Sequence, residues 1–455
     1  MKPPNTGRLT AEARADMLAS MRRASPAAAA PAGAKERAPA RSFDTSFDTL
    51  PGFQSLKTQR AVGDMIGIDN PFYRQHEARA GATTTIDQRN LINFASYDYL
   101  GLNGHPEITE AVHRAARDWG TSVSASRITA GERPFHRAFE AQLADLYGSQ
   151  DCLVFVSGHA TNISAIASIV GPKDLIVHDQ LAHNSIVVGA ELSRAHRRLF
   201  AHNDMEALEA VLEASREQYE RCLIITEGHF SMDGDGPDLQ RLIDIKERWG
   251  AWLMVDEAHS LGVLGATGRG IFEHAGIDPA KVDIWMGTLS KTLVGCGGYI
   301  AGPRALIDYL KFQAPGMVYS VGLPATTTIA SMTALQIMLR EPERVTKLQA
   351  NGKRLVDAAR ARGLNTGGSW GYAVTPIVIG DSLRTIVLAD RLFKAGINAF
   401  PIIPPGVPEK SARLRFFLSS AHEPEQIDRA IAEVADILAA LEAEGMSMMS
   451  LAKMR

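Results

Sequence analysis

The sequence predicts an α/β fold, with a large domain around a mainly parallel sheet followed by a smaller C-terminal α+β domain. Three observations carry this expectation. Short, wholly apolar runs alternate with amphipathic stretches, as parallel strands covered on both faces require. The 455 residues, 45% hydrophobic and 22% charged, suffice for a substantial core and two packed domains. Polar or glycine-rich segments also follow five of the apolar runs, and an open parallel sheet binds its ligands at that end.

The elements follow in chain order. Residues 1–45 read as a low-complexity tail, because "MRRASPAAAAPAGAKERAPARS" is too poor in large apolar side chains to build a core. An amphipathic helix is expected just before it, at "TAEARADMLASMRR". Residues 46–95 read as an N-terminal arm ending in a short strand, "LINFAS". The large domain is placed at 96–335. Its strands are "CLVFVS" (152–157), "LIVH" (175–178), "CLIIT" (222–226), "WLMVD" (252–256), "DIWMG" (283–287) and "GYIAG" (298–302). Helices at 204–221 and 238–250 lie between them. The small domain, 336–440, has helices at 342–363, 382–396 and 423–444 and strands "TPIVIG" and "RLRFFLS". The Met-rich end, 441–455, reads as a second tail.

Charge and cysteine usage narrow the function. A formal net charge of -3 gives no electrostatic case for nucleic acid or a membrane surface. No run reaches the roughly 20 apolar residues of a spanning helix, and the N-terminus lacks a secretory apolar core. Cys152, Cys222 and Cys296 stand far apart, which argues against disulfides or structural zinc and fits a cytoplasmic protein.

The stretch "VDEAHS" (255–260) sets an aspartate, a glutamate and a histidine at the end of a buried strand, where uncompensated charge is costly. Other strand ends carry "SGHATN", "HDQLAHNS", "TEGHFSMDGD" and "GTLSKTLVGCGG". "DEAH" without a phosphate loop is not a helicase box. The glycines of "GCGGYIAG" enter a strand rather than open a helix, so they are not a dinucleotide fingerprint. His178 and His183, five apart, are poorly spaced as metal ligands on a helix. One chemistry uses all the parts. Lys291 can form a Schiff base with an aldehyde cofactor, and Asp256 can keep a pyridinium nitrogen protonated, as pyridoxal 5'-phosphate (PLP) requires. Backbone N–H groups around Gly158, with the hydroxyls of Thr288 and Ser290, can bind its phosphate at a helix N-terminus.

With "FASYDYLGL", "GTSVSASR", "LAHNS", "TEGHFSMDGD", "VDEAHS", "GTLSK", "GCGGY" and "RLRFFLSSAH", the chain resembles the α-oxoamine synthase family of fold-type I PLP enzymes over about residues 70–440. The resemblance implies Lys291 as the Schiff-base lysine, Asp256 as the partner of the ring nitrogen and His259 as that of the ring hydroxyl. It further implies His183 stacked on the ring, Ser231 as a cofactor contact, and Gly158 with His159 as the family's small and aromatic pair. His159 departs from the usual aromatic at its position. Arg415 would grip the amino-acid carboxylate, with Arg413 as a solvated neighbour. Glu227 and Glu257 are expected to be structural, and Cys296 to be packing.

The implied reaction is a decarboxylative condensation of an amino acid with an acyl-CoA or acyl-carrier-protein thioester, on a homodimer. Tyr97 and "NPFYRQHEARAG" are similar to the serine palmitoyltransferases of the family, which favours L-serine and a long-chain acyl group. An alanine-using, oxononanoate synthase-like enzyme and a carrier-protein-dependent synthase are the alternatives. The valine of "YSVGLP" replaces a hydroxyl residue that in the family reaches the partner subunit's cofactor phosphate.

Overall fold

The sheets and helices are those of a computed structural model, which describes residues 44–447. The expected helix at 10–23 and the Met-rich end beyond residue 447 lie outside them. The chain divides into two units at Val62 and Gly63. The expected arm begins as helix. A short 3-10 turn, Phe47–Thr49, is capped by the Ser46 hydroxyl and leads into the helix Pro51–Met65.

The second unit opens with a hairpin, β1 (Thr83–Ile86) and β2 (Arg89–Asn93). Its two turn residues, Asp87 and Gln88, take positive φ angles of 51° and 58°. That backbone matches the right-handed twist of the paired strands. Threonine-rich β1 has no apolar run, so the sequence pattern does not reveal it.

Seven strands then form the main sheet: β3 (Asp151–Phe155), β4 (Leu175–Asp179), β5 (His196–Phe200), β6 (Cys222–Glu227), β7 (Trp252–Asp256), β8 (Ile284–Thr288) and β9 (Gly298–Gly302). Their order is β3-β9-β8-β7-β6-β4-β5. β9 pairs antiparallel with both neighbours, and the pairs from β8 through β5 are parallel. The mainly parallel sheet is therefore present, with its strands within a residue or two of the predicted runs. β5, "HRRLF", was not predicted. It is an edge strand with four exposed residues, so burial does not impose an apolar pattern on it.

Helices cover the sheet. Gly158–Ile169 packs on Asn184–Ser193, and a Cβ at Gly189 would stand 3.0 Å from the Asn162 carbonyl, so the close approach depends on that glycine. Beyond the main sheet, β10 (Val374–Val378), β12 (Phe400–Ile402) and β13 (Arg413–Phe417) form an antiparallel sheet with β13 in the centre. The two-residue β11 (Ile397–Asn398) joins β2 in parallel. No helix among the described residues is long and apolar enough to cross a membrane.

Candidate active site

The strands β4, β6, β7 and β8 end around one cavity of about 230 Å³. Each contributes through the residues at or just beyond its carboxyl end. Strands buried on both faces cannot carry charge along their length, so polar groups collect where the backbone leaves the sheet.

Asp256 is the last residue of β7 and is 4% exposed. Its Oδ2 accepts from Asn162 Nδ2 at 2.8 Å and its Oδ1 from the Ala258 N–H at 2.9 Å. Three residues beyond Asp256, the His259 ring lies parallel to Phe417, with centroids 6.1 Å apart, and its Nδ1 is 2.6 Å from the Tyr99 hydroxyl. Burial, then the nearby Lys291 and Arg415 charges, push the His259 pKa well below the usual imidazole range, so the ring is neutral at neutral pH.

Lys291 follows β8 in a turn lined by Thr288 and Ser290, whose hydroxyls are 2.8 Å apart. Burial lowers the pKa of its ammonium, against the pull of Asp256 and Glu227. Its Nζ stands 5.6 Å from the centre of the Tyr97 ring. His183, N-cap of the helix Asn184–Ser193, is fixed from both sides. Its backbone N–H donates to Glu227 Oε1 at 2.7 Å, and its Nδ1 lies 2.7 Å from the Ser185 hydroxyl. Burial lowers the His183 pKa. Burial, with Asp256 next, raises that of Glu227 well above the carboxylate range.

Gly158 opens a helix capped by the Ser157 side chain, and a Cβ there would stand 2.6 Å from Thr288 Oγ1. Glycine keeps open the space between a helix N-terminus and two hydroxyls. The exposed His159 also lines the cavity. Its Nε2 is 3.3 Å from Asn184 Oδ1, and its ring meets His183 edge-on at 6.2 Å. Cys296 is exposed and lines the cavity too, rather than packing in the core.

Ser231 and Arg415 stand outside the cavity lining but touch each other. Arg415 Nη1 donates to the Ser231 carbonyl at 3.2 Å and approaches Met232 Sδ at 3.3 Å. Its guanidinium lies 4.5 Å over Phe417, and its buried Nε has no hydrogen-bond partner. Arg413 corrects the sequence reading. It is 7% exposed, and its Nη1 donates to Asp233 Oδ1 at 2.7 Å, so it is a buried, paired structural arginine. Glu257 is structural as expected, accepting the Ile271 N–H that opens a short helix.

Three residues were not singled out from sequence. Asn162 holds Asp256, Tyr99 holds His259, and Ser185 holds His183. Asn162 is one helical turn beyond Gly158, a spacing that places both on one face. Tyr99 lies inside "FASYDYLGL", two residues past Tyr97.

These groups fit PLP. A buried carboxylate and an amine line the same cavity, as a pyridinium and an aldehyde require, and a glycine-opened helix end with hydroxyls suits a phosphate. The family model for class I and II aminotransferases matches residues 89–434. The 8-amino-7-oxononanoate synthase of Treponema denticola is 36% identical over 378 residues, 83% of this chain and 93% of that protein. The Methylococcus capsulatus protein of the same name is 39% identical over 79% of this chain and 92% of its own length. Among solved structures, Sphingomonas wittichii serine palmitoyltransferase superposes with a TM-score of 0.82 at 28% identity, covering 87% of this chain and 99% of that one. The chain belongs to the class I and II aminotransferase family and, within it, to the PLP-dependent α-oxoamine synthases.

Proposed function

We propose that the chain condenses L-alanine with an acyl thioester, forming an α-amino ketone and releasing CO2 and the free thiol. The observation that carries this is the 36–41% identity to proteins named for 8-amino-7-oxononanoate synthesis. A methyl group beside the amine-bearing carbon of that product is the side chain of alanine. The serine reading, with a long-chain acyl group, has support from the solved serine palmitoyltransferases and from Tyr97 beside Lys291. It is the second choice because those structures are 24–28% identical.

Bound PLP supplies a conjugated ring that spreads the negative charge left on the amino acid's Cα. The residue assignments are ours. Asp256 would hold the ring cation, with the Asn162 amide keeping its carboxylate in place. Neutral His259, oriented by Tyr99, would meet the ring hydroxyl. His183, locked by Glu227 and Ser185, would cover one ring face. The N-terminus at Gly158, with Thr288 and Ser290, takes the phosphate, and His159 borders the mouth. Lys291 holds the cofactor and, with its pKa lowered by burial, accepts the α-proton at Nζ and later returns one. Arg415, its Nε unpartnered, receives the amino-acid carboxylate with Tyr97 alongside, and Ser231 seats the guanidinium.

We further infer a homodimer. Tyr319 and Val321, which flank the serine of "YSVGLP", are exposed at 86% and 49% in the single chain. We also assign cofactor binding to a large domain of residues 96–335, followed by a small C-terminal domain of 336–440.

The test titrates the purified holoenzyme with L-alanine, L-serine and glycine separately, following cofactor absorption. Each titration is repeated with acyl-CoA or acyl-carrier protein while thiol is assayed. Saturation and thiol release with alanine are expected. A response confined to serine selects the second reading, and a keto acid formed without thiol release overturns both.

A further inference from the structure

His202, in the turn after β5, takes no part in the chemistry above, yet it lies between two acidic side chains. Its Nδ1 is 2.9 and 3.1 Å from the Asp179 carboxylate oxygens, and its Nε2 is 3.0 Å from Asp235 Oδ2. A neutral imidazole has one N–H and one lone pair. With carboxylate oxygens at both nitrogens, only the doubly protonated ring satisfies both contacts. Asp179 is fully buried and also accepts the Leu181 and Asn203 N–H groups. The Asn203 amide lies 3.3 Å from Nε2, and the Phe230 ring meets the imidazole edge-on at 4.5 Å. Burial opposes the charge, but Asp179 and Asp235 outweigh it and raise the pKa to about 10.

The two acids belong to different functional segments. Asp179 ends β4 and begins the turn that leads to His183, and its side chain accepts the Leu181 N–H inside that turn. Asp235 closes the loop after β6, where its carbonyl accepts the Phe230 N–H. That loop offers the Ser231 carbonyl and Met232 sulfur to Arg415, and Asp233 to Arg413. His202 itself is outside the cavity lining.

We propose that the His202 imidazolium is a positioning residue, joining the turn that carries His183 to the loop that seats Arg415. Affinity for the amino-acid carboxylate then depends on a proton held outside the cavity. The inference rests on the assignment of His183 and Arg415 made under Proposed function.

The decisive variant is Asp235→Asn, which removes one carboxylate and returns the imidazole towards ordinary acidity. Amino-acid dissociation constants of the holoenzyme, read from cofactor absorption between pH 6 and 9, are divided by wild-type values at each pH. Titrations common to both proteins then cancel. The ratio is expected to climb by about tenfold from pH 6 to pH 9, since loss of a charge-assisted contact is worth at least that factor. A ratio flat with pH, whatever its size, overturns the proposal. His202→Gln should weaken binding at every pH with kcat within about threefold of wild type, and unchanged binding overturns it as well. NMR of histidine-labelled wild type needs no variant. One of the 13 histidines must stay charged beyond pH 8.5, and titration of all of them below that pH overturns the proposal. Arg415→Ala separates the two levels. If it leaves amino-acid affinity intact, the Arg415 assignment fails; if it abolishes affinity while the Asp235→Asn ratio stays flat, only the His202 role fails.

Discussion

Around Arg127, two glutamates meet one guanidinium. Glu132 pairs at 2.5 Å and the fully buried Glu140 at 2.5 Å, and Arg137 adds a second cation 3.0 Å from Glu140. At the strand ends, Glu227 and His259 are buried, Lys291 is half-buried and His183 is exposed in the single chain, yet none of the four forms an ion pair among the described residues. The electrostatic outcomes are opposite. Burial opposes the Arg127 charge, but its glutamates overcome that and raise its pKa. Lys291, His183 and His259 are all shifted down and Glu227 up, each chiefly by burial, so all four move towards neutrality. A compensated cluster is structural, because each charge already has its partner. An uncompensated one is held ready for charges that a cofactor and a substrate bring.

The sharpest way to break this contrast is Lys291→Ala. Turnover should fall by about 10⁴-fold. The unfolding free energy of the cofactor-free protein should change by less than about 1 kcal/mol, because no ion pair is lost. A large destabilisation in denaturant titration would show that Lys291 is compensated after all. Arg127→Met should do the reverse. It takes the cation from Glu132 and leaves the buried Glu140 to Arg137 alone, and should cost about 3 kcal/mol of stability, with kcat per folded molecule unchanged. Arg415→Ala should lower kcat/KM for the amino acid by about 100-fold, mostly through KM, with the melting temperature nearly constant.

The pH dependence of stability tests the His202 buckle as a third kind of buried charge. Its folded pKa, about 10, lies above the ordinary 6.5, so the protonated ring favours the folded state. That contribution is complete below about pH 6.5 and is lost as pH rises through about 10, an expected loss of about 2 kcal/mol. His202→Gln should flatten this limb of the denaturation profile. The smallest effect is expected for Tyr99→Phe, which removes one hydroxyl from His259. Cofactor affinity should fall by about fivefold, about 1 kcal/mol, measured by competition with a PLP-binding apoprotein.

Much of the fold was legible because buried parallel strands must be apolar throughout. "WLMVD" and "LIVH" mark β7 and β4 almost residue for residue. Threonine-rich β1 and the arginine-rich edge strand β5 were not, since partial exposure removes that constraint. In the site, Lys291 and Asp256 could be picked out by their chemistry beside strand ends, and His183 and His259 by the resemblance of their motifs to the α-oxoamine synthases. Asn162 and Tyr99 escaped notice because asparagine and tyrosine serve many ordinary structural purposes.

By itself, the sequence determined the α/β class, the places of six of the seven main-sheet strands along the chain and the chemical types that follow them. These depend on local periodicity and residue identity. Tertiary structure decided which of those groups have partners. Arg413 and Arg415 look alike along β13, but one meets Asp233, 180 residues earlier in the chain, and the other is left with an unpartnered Nε. His202 becomes a charged tie only because Asp179 and Asp235, 23 and 33 residues away, converge on its two nitrogens. Pairing across such separations depends on which loops the packed sheet brings together, and no local pattern carries that information.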